Sequence, residues 1–118
     1  MREKARFYYD KLNDLLHVFI PGKSVKTLLI GDIAFDIDRH NKFIGIEITN
    51  ASDLLQQYGI GAELLERIEK AEIVVTPVSA NTAMVGMYLH IPKQEEPSKV
   101  LFAVDLINEK PQEALASS

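Results

Sequence analysis

No cysteine occurs among the 118 residues, which excludes disulfides, thiolate metal centres and thiol nucleophiles. Tryptophan is absent too, leaving four tyrosines and five phenylalanines as the aromatic complement. No apolar run approaches the ~20 residues needed for a membrane-spanning helix. The opening Met1-Arg-Glu-Lys-Ala-Arg6 carries charge where a secretory signal would begin its apolar segment. There is no large excess of one charge: 13 basic residues face 17 acidic ones, for a net charge of -4. That balance argues against a strongly basic nucleic-acid binder. No Gly-x-Ser-x-Gly elbow is present, and Ser24, Ser52 and Ser79 each suit a turn or a cap. Gly59-Ile-Gly61 lacks the lysine of a phosphate loop and follows a helix instead of a strand. These absences predict a cytoplasmic protein without a membrane or nucleic-acid partner, a cofactor or a catalytic centre.

What remains is an ordinary core-forming chain, 47% apolar and 25% charged, of a length that suits one domain. The expected domain covers residues 1–110, followed by a frayed polar tail at 111–118. Alternation of apolar and polar residues predicts strands over 5–9, 15–20, 25–30, 33–37 and 43–49. Pro21-Gly22 ends the second of these, and Gly31-Asp32 the third. Residues 33–37 and 43–49 flank Asp38-Arg-His-Asn-Lys42 as a hairpin. Setting Asp38 against Phe43 pairs Ile37 with Ile44, Phe35 with Ile46 and Ile33 with Ile48, so six large apolar side chains share one face. A slip of one residue would scatter them. In that register Ala34, Asp36, Asp38, Phe43, Gly45 and Glu47 form the outer face, and Asn41 suits a left-handed turn position.

The period lengthens after Asn50. Ser52 reads as the N-cap of a helix over 53–58 that Gly59 stops. A second helix is predicted over 62–71, with Leu64, Leu65 and Ile68 as its apolar stripe and Glu66–Lys70 as an i,i+4 pair. Strands resume over 73–78, 84–91 and 100–107, with Val85, Met87, Leu89, Ile91, Val100, Phe102, Val104 and Leu106 inward. The reading is an α+β fold: a mainly antiparallel sheet of about seven or eight strands, with one or two short helices between two runs of strands.

Tyr9-Asp10, Asp14, Asp36-Ile-Asp38 and above all Gly45-Ile-Glu-Ile-Thr-Asn-Ala-Ser52 resemble the domain of unknown function 2283 family over residues 7–52. The chain is similar to its longer members, which continue with short helices and further strands. Asn41 stands where that family usually has the turn glycine, and Thr49 where it usually has leucine. The resemblance implies that Tyr9, Asp10, Asp14, Gly45, Glu47, Asn50 and Ser52 are signature positions with structural roles. It also implies an antitoxin-like partnership with a small protein as one role.

For chemistry, the main candidate group is Asp36, Asp38 and Glu47, which two strands would place on one polar face. Such carboxylates can bridge a hard cation, or one can titrate high as a general acid. Arg39 and Lys42 beside them favour a solvated, ion-paired face instead. His17, His40 and His90 lack metal-ligand spacing, although His17 and His90 could meet across a sheet. Arg2, Lys4, Arg6 and Lys11 around Phe7, Tyr8 and Tyr9 could follow a phosphate backbone while bases stack, but Glu3 and Asp10 dilute the patch. Strand edges, together with outward Tyr8, Phe43 and Tyr88, suit an interface. The leading expectation is therefore a non-enzymatic homodimer or protein-interaction module. A divalent-metal-dependent hydrolase or ligand-binding protein using Asp36, Asp38 and Glu47 is the alternative, and a weak nucleic-acid binder the second alternative.

Overall fold

A computed structural model describes residues 1–105. Eight strands and two short helices follow one another as β1 (Arg2–Asp10), β2 (Leu15–Phe19), β3 (Lys26–Ile30), β4 (Ile33–Ile37), β5 (Phe43–Ile48), α1 (Ala51–Gln56), α2 (Ala62–Leu65), β6 (Lys70–Pro77), β7 (Thr82–His90) and β8 (Ser98–Asp105). The fold is thus mostly β, an antiparallel sheet with two helices inserted between its fifth and sixth strands. The expected inward position of Leu106, the end of the last expected strand and the expected tail lie outside the described residues.

Sheet order is β3-β4-β5-β2-β1-β6-β7-β8, with the paired strands antiparallel. β1 joins the two halves. Its first part, Arg2–Ala5, pairs with β6, and its second, Arg6–Asp10, pairs with β2. The sheet then curls over its own inner face. Phe35 of β4 and Phe102 of β8, far apart in strand order, meet edge to face at 6.1 Å between centroids. Tyr58, just after α1, meets the same Phe102 ring at 6.2 Å. One continuous core runs through both halves, with Leu16, Val18, Ile46, Ile48, Ile73, Met87 and Leu89 fully buried.

The β4–β5 hairpin shows how the sequence sets this. Ile33 faces Ile48 and Phe35 faces Ile46, as the alternation requires. Asn41 takes φ 62° in the loop, a conformation its short polar side chain tolerates. The expected pairing of Ile37 with Ile44 does not occur. A shift between Asp36 and Ile37 sets Ile37 against Phe43. One extra residue in β5 thereby carries Phe43 onto the core face, where its ring meets Phe35 at 6.0 Å. Phe43 is buried, not outward, and Ile44 is buried outside the main core beside Gly22. A bulge of this kind exchanges the two faces beyond it.

The helices dock on the sheet through Leu55, Ile60 and Leu65, all buried. Helix α1 starts earlier than its side chains suggest, because Asn50 at φ 50° precedes it without a side-chain cap and Ser52 lies inside its first turn. Its end follows expectation. Gly59 takes φ 77°, its N–H reaches the Gln56 carbonyl, and the Ile60 N–H reaches that of Leu55 at 3.0 Å. This is the paired closure that a left-handed glycine permits. Helix α2 spans only Ala62–Leu65. Residues expected to extend it are drawn into β6, where Lys70 faces His90 and Ala71 faces both Leu89 and Ala5. No Glu66–Lys70 pair forms across a helical turn; Glu66 instead lies 3.4 Å from Lys11 Nζ. Ladder bonds on both sides of a strand outweigh a few tenths of a kcal/mol of helical pairing.

Candidate functional site

Three of the signature residues, Tyr9, Asp14 and Ser52, meet at one place. Asp10 opens the β1–β2 turn by accepting the Asn13 N–H at 3.2 Å and its side-chain amide at 2.7 Å. The turn closes on Asp14 at φ 50°, which aims the Asp14 carboxylate at the start of α1. The Ser52 hydroxyl donates to Asp14 Oδ2 at 2.7 Å, and the Ser52 N–H reaches both carboxylate oxygens at 3.1 and 3.2 Å. The Ala51 N–H donates to the Asp14 carbonyl at 2.9 Å. From β1, the Tyr9 hydroxyl donates to Asp14 Oδ1 at 2.6 Å. An aspartate 38 residues away therefore does the capping that Ser52 was expected to do.

Burial pushes the Asp14 carboxyl up, but the hydrogen bonds from Tyr9 and Ser52 outweigh it and hold the group below the usual carboxylate range. The Tyr9 hydroxyl shows the converse. Desolvation first, then its bond to Asp14 and the charges of Asp14, Glu66 and Asp10, raise it to about 12. Asp14 is thus ionised and occupied by donors, which suits a clamp between a hairpin and a helix.

Asp36, Asp38 and Glu47 are spread along the β4–β5 hairpin. Asp38 accepts the N–H groups of His40 at 2.8 Å and Lys42 at 3.0 Å, folding the loop. The Lys42 N–H above all, with that of His40, holds Asp38 below its ordinary value against partial desolvation. Asp36 accepts the Thr27 hydroxyl at 2.8 Å from β3. Its carboxylate lies over Gly45, where an added Cβ would approach Asp36 Oδ2 to 2.9 Å. Glu47 lies between Ala34 and His17 on the same outer face. Among the described residues, no group of three or more His, Asp or Glu side chains is arranged to hold a metal ion. His17 and His90 do not meet: His17 stacks on Phe19 at 4.6 Å, while His90 Nε2 lies 3.6 Å from Glu72 in the other half.

Two surfaces were not legible as units in the sequence. The first is β3, last in sheet order and, among the described residues, paired only with β4. Val25, Leu29 and Ile30 there are 56%, 71% and 38% exposed. The second is the outer face of β1, β6, β7 and β8, which gathers Arg2, Lys4, Arg6, Lys70 and Lys99 around Glu72 and Tyr88. Only the β1 members are neighbours in sequence.

Among the described residues, no helix is long and apolar enough to cross a membrane. Over 74 residues the chain is 42% identical to an uncharacterized protein of Methanocaldococcus jannaschii, a match covering 60% of this chain and 60% of that protein's length. No solved structure matches it. Tyr9, Asp10, Asp14, Gly45, Asn50 and Ser52 all fall within a segment that a known family covers: residues 6–52 match the family described as protein of unknown function, DUF2283.

Proposed function

We propose that this protein is a non-enzymatic self-association module, and that its partner is a second copy docked along β3. The observation that carries the reading is β3 itself: one side is paired with β4, the other has no strand partner among the described residues, and Val25, Leu29 and Ile30 are exposed beside it. An edge strand left open invites pairing with another chain, and soluble proteins usually blunt such edges with charge or proline. Here the strand carries Lys26 and Thr27 but ends in Leu28-Leu29-Ile30. Edge-to-edge pairing about a two-fold axis satisfies the same backbone groups on both copies and buries each Leu29. In an antitoxin-like role, a small protein would take the place of the second copy on this edge.

Sedimentation velocity over a concentration series tests the reading. The wild-type chain is expected to sediment as a dimer, and Leu29→Lys as a monomer with unchanged circular dichroism. Burying one leucine contributes about 2 kcal/mol. Counted on both copies, its loss weakens the dimer by roughly 1000-fold. A wild-type chain that stays monomeric at every concentration overturns the proposal.

A further inference from the structure

The geometry points to a binding face for single-stranded nucleic acid on the outer side of β1, β6, β7 and β8, anchored in the groove where β1 parts from β6. The argument begins with alternation. Arg2, Lys4, Arg6 and Tyr8 occupy every second position of β1, all exposed, while Glu3, Ala5, Phe7 and Tyr9 alternate with them on the more covered side. Antiparallel register then brings distant residues alongside: Lys4 faces Glu72, Glu72 faces Tyr88, and Tyr88 faces Lys99. In a chain of net charge -4, five exposed Lys and Arg side chains surround Glu72 on this face, with Asp105 at the far end of β8. Arg2 is bonded to Glu72 and lies over the Tyr88 ring at 4.7 Å, with Lys99 Nζ on that ring at 5.4 Å. The charge is segregated by the fold: the same face turns acidic across β4 and β5, at Asp36 and Glu47.

The groove follows from the way β1 changes partners. After Ala5 it leaves β6 for β2, and the opening between the strands is about 620 Å3, lined by Lys4, Arg6, Lys70, His90, Glu69 and Glu72. His90 Nε2 is buried beside Glu72 Oε1 at 3.6 Å, beyond hydrogen-bond distance. Two lysines and an arginine suit phosphate oxygens and outnumber the two carboxylates beside them. A base has its platform beside them: Tyr8 is 58% exposed and lies opposite His17, which stacks with Phe19. A cationic groove that follows a backbone, next to aromatic rings that take bases, is how proteins hold single strands without reading sequence. Aromatic platforms distinguish this occupant from an anionic membrane, which needs only the charge. The β3 edge lies at the far end of the strand order, so dimerisation there leaves this face open.

The test is fluorescence anisotropy with labelled oligothymidylate and oligouridylate of ~15 nucleotides, titrated with the full chain at several salt concentrations. Binding is expected, with log K falling against log salt at a slope of about -3, the value for some four phosphates on a single strand. Lys4→Glu with Arg6→Glu should weaken it at least tenfold, whereas the control Lys23→Glu with Lys93→Glu, equal in charge but away from the face, should change it less than threefold. Tyr8→Ala should weaken it about tenfold, the effect of losing one stacking ring. Thermal melts confirm that each variant is folded. No binding at low salt, equal losses in the control, or unchanged affinity in Tyr8→Ala would each overturn the proposal. So would retention by phosphatidylserine vesicles without retention of either oligonucleotide.

Discussion

Asp14 serves three donors at once, and the cost of disturbing it depends on which partner is removed. Tyr9→Phe takes away one donor and leaves the carboxylate with Ser52, so a loss of about 1 kcal/mol is expected. Asp14→Ala strands the Tyr9 hydroxyl and both Ser52 donors, and about 2 kcal/mol is expected; urea melts compare the two. The same bond sets an alkaline limb. Tyr9 titrates at about 12 in the fold and near 10 when unfolded. A raised acid contributes stability below its unfolded pKa and loses it as pH climbs through the folded one. Stability should therefore fall between pH ~10 and ~12, and Tyr9→Phe should flatten that fall. A depressed Asp14 has the opposite sign: its contribution is present above about pH 4 and is lost as pH drops below. Gly45 and Gly86 differ as well. A Cβ at Gly86 would stand 1.9 Å from the Val100 carbonyl oxygen, whereas one at Gly45 meets the movable Asp36 carboxylate. Gly86→Ala forces backbone apart and should cost about 3 kcal/mol, and Gly45→Ala about 1 kcal/mol.

At the scale of elements, the order of five strands, two helices and three strands was legible because alternation of period two is strong in this chain. Ile33, Phe35, Ile46 and Ile48 fixed the hairpin register, and Asn41 marked its turn. Two of the errors share one cause, which is contact from far along the chain, and the third is a local bulge. Helix α2 stops at Leu65 because Lys70 and Ala71 have strand partners on β7 and β1. Ser52 is capped by Asp14, not the cap, since the β1–β2 turn arrives at the helix from outside. Phe43 reaches the core through a bulge that no local pattern announces. Removing its ring tests that placement: Phe43→Ala should destabilise by about 3 kcal/mol, as for a buried phenylalanine, where an outward ring would cost well under 1 kcal/mol. The carboxylates Asp36 and Asp38 were rightly placed on the hairpin, but their partners Thr27 and the Lys42 N–H give each a local structural task.

At the scale of the molecule, β1 divides its length between two half-sheets and lets one core close between them, with β3 left at one end of the order. Composition could not show that a chain of net negative charge collects cations on one face, nor that Leu29 is exposed on the last strand of the sheet order; both depend on strand order. The decisive measurement is a series of ¹⁵N–¹H correlation spectra of the wild-type chain across a wide concentration range. If two copies join along β3, amide shifts should move with concentration at residues 25–31, remain still on β6 and β7, and stop moving in Leu29→Lys. Shifts that stay fixed throughout, or that move only away from β3, would contradict it.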